Sequence, residues 1–246
     1  MREQNPLMRV EDVPYEVDGI AMVGHLAIDD ATAAARPTVL VCHEGNGMST
    51  HVRETTEALA QLGYAAFALD YIGGGRQAND EATWAQLSRM MEDPTVARGR
   101  AEAGLRILLD QPGADPSRVA VLGYCFGAVM GLEMARGGFD VRAVVGFHPG
   151  LLQSRPDDSR TITASILMCI GTEDPYMTRD QRHALEQELL DAEVEDWRIE
   201  VYGGIGHGFT NPDSGALGLP GVEYHQPSAE RSWRSALALL AETVGP

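Results

Sequence analysis

The most constraining feature of this 246-residue sequence is the pentapeptide Gly-Tyr-Cys-Phe-Gly at residues 123–127. An apolar run, residues 118–122, precedes it, and a stretch with helical character, residues 128–135, follows it. A Gly-x-Cys-x-Gly sequence at such a junction predicts a sharp strand-to-helix turn whose central residue has a strained backbone and projects above the sheet. Glycine is expected on both sides because a Cβ atom there would collide with the neighbouring strand or helix.

The helix that follows this turn is expected to direct its N-terminus at Cys125. That end of a helix carries unpaired N–H groups and a partial positive charge, which favour a thiolate or an oxyanion. The central residue of such turns is usually serine. Cysteine at this position therefore excludes the serine enzymes that account for most proteins with such a turn.

Apolar runs and amphipathic stretches alternate along most of the chain. The first segment, residues 13–27, alternates apolar and polar residues around Asp18-Gly19 and predicts a β-hairpin at a sheet edge. Further strands are predicted at residues 38–42, 64–69, 118–122, 141–147, 165–170 and 197–202. Helices are predicted at residues 51–62, 93–109, 179–192 and 229–244.

Short, nearly uninterrupted apolar strands belong to a sheet that is covered on both faces, and their alternation with helices gives right-handed parallel crossovers. We therefore predict one domain over residues 1–246, a mostly parallel, doubly wound α/β sheet with an N-terminal β-hairpin. Residues 73–83 and 149–163 are predicted to be loops over one end of this sheet. Ligands of such folds bind at the carboxyl ends of the strands, which is where these loops begin.

The composition excludes several classes of partner. A formal net charge of -17 repels nucleic acid and anionic membranes, so neither is expected to bind. The sequence begins without the apolar core of a signal peptide, and no run approaches the ~18 apolar residues of a membrane span. The three cysteines are an odd number, and Cys42 and Cys169 lie in predicted buried strands. This usage predicts reduced thiols and a cytoplasmic location.

Three residues with catalytic chemistry follow three predicted strands. Cys125 ends one strand, Asp174 follows the next but one, and His207 lies in a glycine-rich loop after the last. This chain order of nucleophile, acid and histidine is the one found in α/β-hydrolases. Glu173 is a rival for the acid because it is adjacent, but the position before Pro175 favours Asp174.

The expected chemistry of this group is nucleophilic catalysis. Only a small fraction of a free thiol is ionised at neutral pH, and His207 would accept the proton of Cys125 and later donate it to the leaving group. Asp174 would fix the imidazole tautomer and stabilise its charged form. An oxyanion needs two backbone N–H donors, for which we predict Phe126, directly after the cysteine, and Gly45, in the loop after the first parallel strand.

Taken together, these motifs resemble the dienelactone hydrolase family. The shared features are cysteine in the turn, Glu44 after an early strand, Asp174 after a Gly-x-x-Asp turn, and His207-Gly208-Phe209 near the end. The resemblance covers nearly the whole chain and implies an α/β-hydrolase fold with a Cys-His-Asp triad. It also implies that Glu44 contacts the resting thiol until substrate displaces it. The alternative from the residues alone is that Glu44 caps the helix predicted to begin near residue 51.

The sequence departs from the family pattern at the residues expected to bind substrate. Asn211 stands where an arginine clamps the substrate carboxylate, and Asn cannot make the bidentate charged contact of Arg. A glycine run precedes Arg76, the candidate for the second clamp. Tyr71 and Trp84 are candidate pocket walls for an unsaturated ring, with core or surface packing as the alternative, and His148 is a candidate wall with a structural role as the alternative.

The resulting prediction is a hydrolase of a small carboxylic ester or lactone, similar to carboxymethylenebutenolidase, that acts through an acyl-enzyme. It needs no cofactor, and no group of His, Cys and carboxylates has the spacing of a metal site. We expect a small-molecule substrate as the partner, and a monomer or a small homo-oligomer. Two alternatives remain: a thioesterase or acyltransferase with the same triad, and a non-catalytic protein whose Cys125 binds a ligand or responds to oxidation.

Overall fold

The computed structural model describes residues 8–30 and 34–246. The eight strands are β1 (Met8–Val17), β2 (Ile20–Asp29), β3 (Arg36–Cys42), β4 (Ala65–Leu69), β5 (Ala114–Tyr124), β6 (Ala143–Phe147), β7 (Ser165–Gly171) and β8 (Trp197–Tyr202). The helices are α1 (Thr50–Gln61), α2 (Glu81–Glu92), α3 (Pro94–Leu109), α4 (Phe126–Arg136), α5 (Pro156–Ser159), α6 (Arg179–Asp191) and α7 (Gln226–Thr243). A 3-10 helix, Ser214–Leu217, precedes α7.

All eight strands belong to one sheet, in the order β1-β2-β4-β3-β5-β6-β7-β8. The strands β4 to β8 in this order pair in parallel, whereas β1 and β2 pair antiparallel to each other and β2 pairs antiparallel to β4. The predicted doubly wound sheet with an N-terminal hairpin at its edge is confirmed. The hairpin turn forms because Asp18 and Gly19 both adopt positive φ, as a two-residue turn with the twist of the strands requires.

The sheet separates two hydrophobic cores. One core contains residues of α3, α4 and α6, and the other contains residues of α1 and α7. Because both faces are covered, every residue of the central strands β4 and β6 is buried. The parallel strands therefore end together at one edge, where β5, β7 and β8 deliver the predicted catalytic residues.

Two helices lie where the sequence predicted none. Helix α2 begins inside the predicted loop 73–83, and its N-terminus is capped by the Asp80 carboxylate, which accepts a hydrogen bond from the Thr83 N–H at 2.9 Å. Only Thr83, Leu87 and Met90 of α2 are buried, so the apolar periodicity is too sparse to show the helix. The short helix α5 lies within the predicted loop 149–163 and is a single turn.

A buried charged cluster joins α4 to α6. The Arg136 guanidinium donates hydrogen bonds to the carboxylates of Glu188 and Glu133, the latter at 2.9 Å. All three side chains are almost fully buried. Ser154 and Ser159 also donate to Glu188, at 2.5 Å and 2.6 Å. Burial alone would raise the pKa of Glu188, but Arg136 and the two hydroxyls hold it below its ordinary value. Glu188 therefore remains a carboxylate at neutral pH.

We predict that Arg136→Met lowers the free energy of unfolding by about 3–5 kcal/mol, because it leaves Glu188 buried without its cation. Urea unfolding at pH 7 measures this loss. The double variant Arg136→Met/Glu188→Leu should regain most of it, since both charges are then gone. The depressed pKa of Glu188 stabilises the fold above the ordinary glutamate pKa, and this contribution disappears as pH falls through the folded-state value. A loss that is equal at pH 7 and pH 4 would contradict the charge argument.

Candidate active site

Cys125 lies in the turn between β5 and α4, with φ of 53° and ψ of -117°. A non-glycine residue in this region is strained, and such strain persists only where the surrounding structure imposes it. Here the Cys125 N–H donates to Phe147 O at 3.0 Å, and Cys125 O accepts from the N–H groups of Ala128 at 3.1 Å and Gly150 at 3.3 Å. The chain on both sides thus holds the thiol above the carboxyl edge of the sheet.

The two glycines of the turn permit a close approach of backbone to backbone. A Cβ atom on Gly123 would lie 2.1 Å from Gly127 O, and one on Gly127 would lie 2.2 Å from Cys42 O. No side chain fits at such distances because backbone atoms cannot move aside. The predicted reason for glycine at both positions agrees with this geometry.

The two predicted oxyanion donors, Phe126 and Gly45, lie close to one another in the structure. Phe126 is the first residue of α4, so its N–H has no partner one turn earlier in the helix. Gly45 lines the same cavity as Cys125, and within the described part of the chain its N–H has no acceptor. A Cβ atom on Gly45 would lie 3.9 Å from the Phe126 Cβ, which shows how closely the two segments approach.

His207 and Asp174 come together from the loops after β8 and β7. The His207 Nδ1 lies 2.8 Å from Asp174 Oδ2, and the other carboxylate oxygen accepts from the N–H groups of Tyr176 at 2.8 Å and Met177 at 3.2 Å. Asp174 is 4% exposed. The rival Glu173 is exposed, and among the described residues its carboxylate accepts only from the hydroxyl of Thr172. The carboxylate that orients the imidazole is therefore Asp174.

The thiol of Cys125 and the imidazole of His207 face one another across Gly150. A Cβ atom on this glycine would lie 3.2 Å from both the Cys125 Sγ and the His207 Cε1. Burial alone would lower the pKa of His207, but Cys125 and the Asp174 carboxylate outweigh burial and raise the pKa to about 10. Transfer of a proton from the thiol to the imidazole is therefore favoured, because the resulting thiolate and the Asp174 carboxylate both stabilise the imidazolium.

Glu44 lines the cavity with Cys125, and both of its carboxylate oxygens have donors. Asn211 Nδ2 donates to Glu44 Oε1 at 2.9 Å, and the Ser49 hydroxyl donates to Oε2 at 3.4 Å. Asn211 Oδ1 in turn accepts from the Asp213 N–H at 2.9 Å, which fixes the orientation of the amide. Asn211, predicted to contact substrate, lines the cavity and also donates to Glu44.

Two predicted substrate-binding residues lie away from the cavity. Tyr71 is fully buried, stacks on the His43 ring and donates its hydroxyl to His43 O. The Arg76 guanidinium is more than half exposed and donates to Asp80 at 3.0 Å. The glycine run before Arg76 contains three residues with positive φ, and the cavity lining resumes directly after Arg76, at Gln77. Trp84, the other predicted aromatic wall, does line the cavity.

His148, a candidate cavity wall from the sequence, does line the cavity. It is fully buried, has a positive φ of 38°, and its ring meets the His207 ring edge-on at a centroid distance of 4.9 Å. Its Nε2 lies 2.8 Å from the Thr210 hydroxyl. Burial, and then the neighbouring His207 and His51, hold the pKa of His148 well below its ordinary value. His148 is therefore a neutral imidazole in the wall of the cavity.

The cavity has a volume of about 160 Å³ and opens to solvent. Its wall also includes Tyr176, Ser214 and Leu219, none of which the sequence analysis singled out. The only signal for Tyr176 was its position directly after Asp174-Pro175. Within residues 8–30 and 34–246, no group of three or more His, Cys, Asp and Glu side chains is arranged to hold a metal ion. The same residues include no helix that is long and apolar enough to cross a membrane.

Comparisons with known proteins identify the family to which the chain belongs. The model of the dienelactone hydrolase family matches residues 22–244. A solved dienelactone hydrolase-like promiscuous phosphotriesterase from metagenomic libraries is 33% identical, with a TM-score of 0.91 over 97% of this chain and 100% of that chain. Carboxymethylenebutenolidase of Pseudomonas sp. (strain P51) is 28% identical over 61% of this chain and 65% of its own length. Dienelactone hydrolase of Anabaena variabilis, 19% identical over 97% of this chain and 99% of that chain, shares the fold with a TM-score of 0.70.

The protein is therefore a hydrolase of the α/β-hydrolase fold. It belongs to the dienelactone hydrolase family, as the motifs around Cys125 and His207 predicted. The family and its relatives also confirm the expectation of an enzyme that acts on ester or lactone bonds.

We predict that the pKa of His207, measured by NMR titration of the imidazole, lies near 10 and falls in both Cys125→Ala and Asp174→Asn, because each partner stabilises the imidazolium. The raised pKa contributes stability that is fully present below about pH 6.5 and is lost as pH rises through the folded-state value. Chemical denaturation of the wild type should show this loss between neutral and alkaline pH. A His207 pKa that neither substitution changes would contradict the assignment of these partners.

Proposed function

We propose that the protein hydrolyses a small carboxylic ester or lactone through Cys125, His207 and Asp174. The observation that carries this proposal is the position of a strained, glycine-flanked thiol opposite an imidazole whose Nδ1 is bonded to a buried carboxylate. All three lie at the carboxyl edge of the sheet, and Cys125 and His207 line one cavity. Membership of a family of ester and lactone hydrolases supports the same conclusion.

In the first half of the proposed reaction, His207 Nε2 takes the thiol proton and the Cys125 sulfur attacks the carbonyl carbon. The carbonyl oxygen becomes an oxyanion, which the N–H groups of Phe126 and Gly45 would stabilise. Collapse of this intermediate breaks the bond to the leaving alkoxide, and the imidazolium donates its proton to that oxygen. Asp174 keeps the Nδ1 proton in place and stabilises the imidazolium throughout.

In the second half, water attacks the thioester of Cys125 while His207 removes a proton from the water. The carbon–sulfur bond then breaks, and the imidazolium returns that proton to the departing sulfur. The same oxyanion donors serve again, and the products are a carboxylic acid and the free thiol. For a lactone, the released acid and the leaving hydroxyl are parts of one molecule. An acceptor other than water would give acyl transfer, so the products formed with an added alcohol or amine separate hydrolysis from the acyltransferase alternative.

Glu44 is proposed to act on the thiol through its charge. The family resemblance assigns this carboxylate to the resting thiol, and it lies in the wall of the same cavity. Asn211 and Ser49 hold its two oxygens. The resemblance implies that substrate displaces this carboxylate from the thiol, and that the thiol proton then passes to His207.

A second candidate activity is the hydrolysis of uncharged phosphotriesters. The specific observation that favours it is the 33% identity to a promiscuous phosphotriesterase over 97% of this chain. Attack of the Cys125 thiolate on phosphorus would release an alcohol and leave a phosphorylated sulfur. A p-nitrophenyl dialkyl phosphate tests this, because each turnover releases p-nitrophenolate and mass spectrometry detects a phosphorylated Cys125.

We also propose that the protein acts as a monomer or small homo-oligomer in the cytoplasm. The three cysteines form no disulfide, and a thiol nucleophile needs a reducing compartment to stay active. A globular protein of 26.5 kDa has the size of an ordinary monomeric domain. Light scattering and the dependence of activity on reductant test the two parts of this proposal separately.

We predict that Cys125→Ala abolishes the hydrolysis of short p-nitrophenyl esters and leaves the urea unfolding midpoint close to that of the wild type. His207→Ala should lose at least ~10²-fold in kcat/KM, the lower range for removal of a general base. The unfolding midpoint is the control, because a substitution at the strained backbone of residue 125 could lower stability and so reduce activity indirectly. Wild-type rates in Cys125→Ala would remove Cys125 as the nucleophile.

We also predict that iodoacetamide modifies Cys125 alone and that this modification stops turnover. Cys42 and Cys169 are fully buried, and burial raises the pKa of each far above its ordinary value. Cys125 is only half-buried and lines the cavity. Peptide mass mapping after partial reaction identifies the modified residue. Loss of activity without modification of Cys125 would contradict this prediction.

A further inference from the structure

The charges around the cavity are of one sign apart from the catalytic imidazole. The carboxylates of Glu44 and Asp213 line it, whereas no arginine does so among residues 8–30 and 34–246. All 19 basic residues of the sequence are arginine, since it contains no lysine. The imidazolium of His207 is balanced by the Asp174 carboxylate bonded to it. A substrate carboxylate would therefore be repelled by these two carboxylates, and no arginine of the described lining would pair with it.

The residues that could have supplied a cation are committed elsewhere. Arg76 directly precedes the cavity residue Gln77 in the sequence. Its guanidinium, however, donates to the exposed carboxylate of Asp80. Asn211 has no charge, and its amide is occupied on both atoms by Glu44 and the Asp213 N–H. Moving either group toward a ligand would break an existing hydrogen bond.

The same cavity contains three uncharged polar atoms without a hydrogen-bond partner. They are Asn46 Oδ1, His148 Nδ1 and Ser214 Oγ, and each is buried. His148 and Ser214 are at least nine-tenths buried and line the cavity. A buried polar atom without a partner is costly, so such atoms in a cavity wall point to a ligand that supplies partners.

We propose that this cavity selects uncharged substrates that carry hydrogen-bonding oxygen or nitrogen atoms, and that it rejects substrates bearing a free carboxylate. Glu44 and Asp213 determine this selectivity, and Asn211 positions Glu44 by its hydrogen bond. The neutral atoms of Asn46, His148 and Ser214 bind the polar groups of the substrate. The inference rests on the proposed function for the reaction and adds the class of substrate.

The first test compares iodoacetamide with iodoacetate, which have similar shapes and differ in charge. The second-order rate constants for alkylation of Cys125 are divided by those for a small free thiol. We expect the normalised ratio of iodoacetamide to iodoacetate to be at least about fivefold, as repulsion by a nearby carboxylate implies. This experiment does not require turnover, so it tests the cavity independently of the reaction.

Variants locate the effect. Asp213→Asn should lower the ratio, and Glu44→Gln should lower it further because Glu44 is the more buried carboxylate. Asp140→Asn is the matched control, since it makes the same change in net charge at an exposed residue that precedes β6, at the opposite end of the sheet. A decrease in Asp140→Asn equal to that in Asp213→Asn would mean that the overall charge of -17, and not the cavity, sets the ratio.

The second test uses turnover of a matched pair of esters, p-nitrophenyl methyl adipate and p-nitrophenyl hydrogen adipate. We expect kcat/KM to be at least about fivefold higher for the uncharged ester, with a smaller difference in Glu44→Gln. Equal rates for both esters, with an alkylation ratio like that of the free thiol, would overturn the selectivity and leave the proposed hydrolysis intact. Charge-selective alkylation with neither ester hydrolysed would instead contradict the proposed hydrolysis and keep the selective cavity.

Discussion

The close approach of two backbone segments at Gly123 and Gly127 is the constraint on which the rest of the site depends. Contacts of this kind force Cys125 into a conformation that costs about 1–3 kcal/mol and that unconstrained residues avoid. Because the strand residues next to the turn are buried, the fold can supply this energy from ordinary packing. The position of the thiol is thus a consequence of how tightly α4 packs on β3 and β5. Asp174 and His207 only need to reach a point that the backbone has already fixed.

Much of this arrangement could be predicted because it depends on short-range rules. The Gly-x-Cys-x-Gly turn, the apolar strands and the order of Cys125, Asp174 and His207 each have a local signature, and parallel crossovers place the ends of the strands together. Helix α2 was missed because a helix with few buried residues has a weak apolar period. Tyr71 and Arg76 were predicted to bind substrate from their positions in the sequence alone. The direction of each side chain depends on loop geometry, which the sequence does not show.

Asn211 illustrates the part that needed the structure. From the sequence it is a position that lacks the charge expected of the family, and nothing indicates what replaces that charge. In the fold, the Asn211 amide joins the Asp213 backbone to the Glu44 carboxylate. Asn211 and Glu44 are 167 positions apart in the sequence. A hydrogen bond over this separation has no sequence signature. The internal contact between Asn211 and Glu44 is therefore visible only when both loops are in place.

Helix α4 is held at both ends by buried interactions. Its first residues pack under the thiol, its last residue belongs to the charged cluster with Glu188, and all 11 of its residues are buried. Such a helix has no surface on which substitutions are inexpensive, whereas the loops above it are less constrained by packing. Chains with this fold can therefore acquire new substrates by exchanging the loops around Asn46, His148 and Ser214, and they keep the same thiol in the same place while doing so.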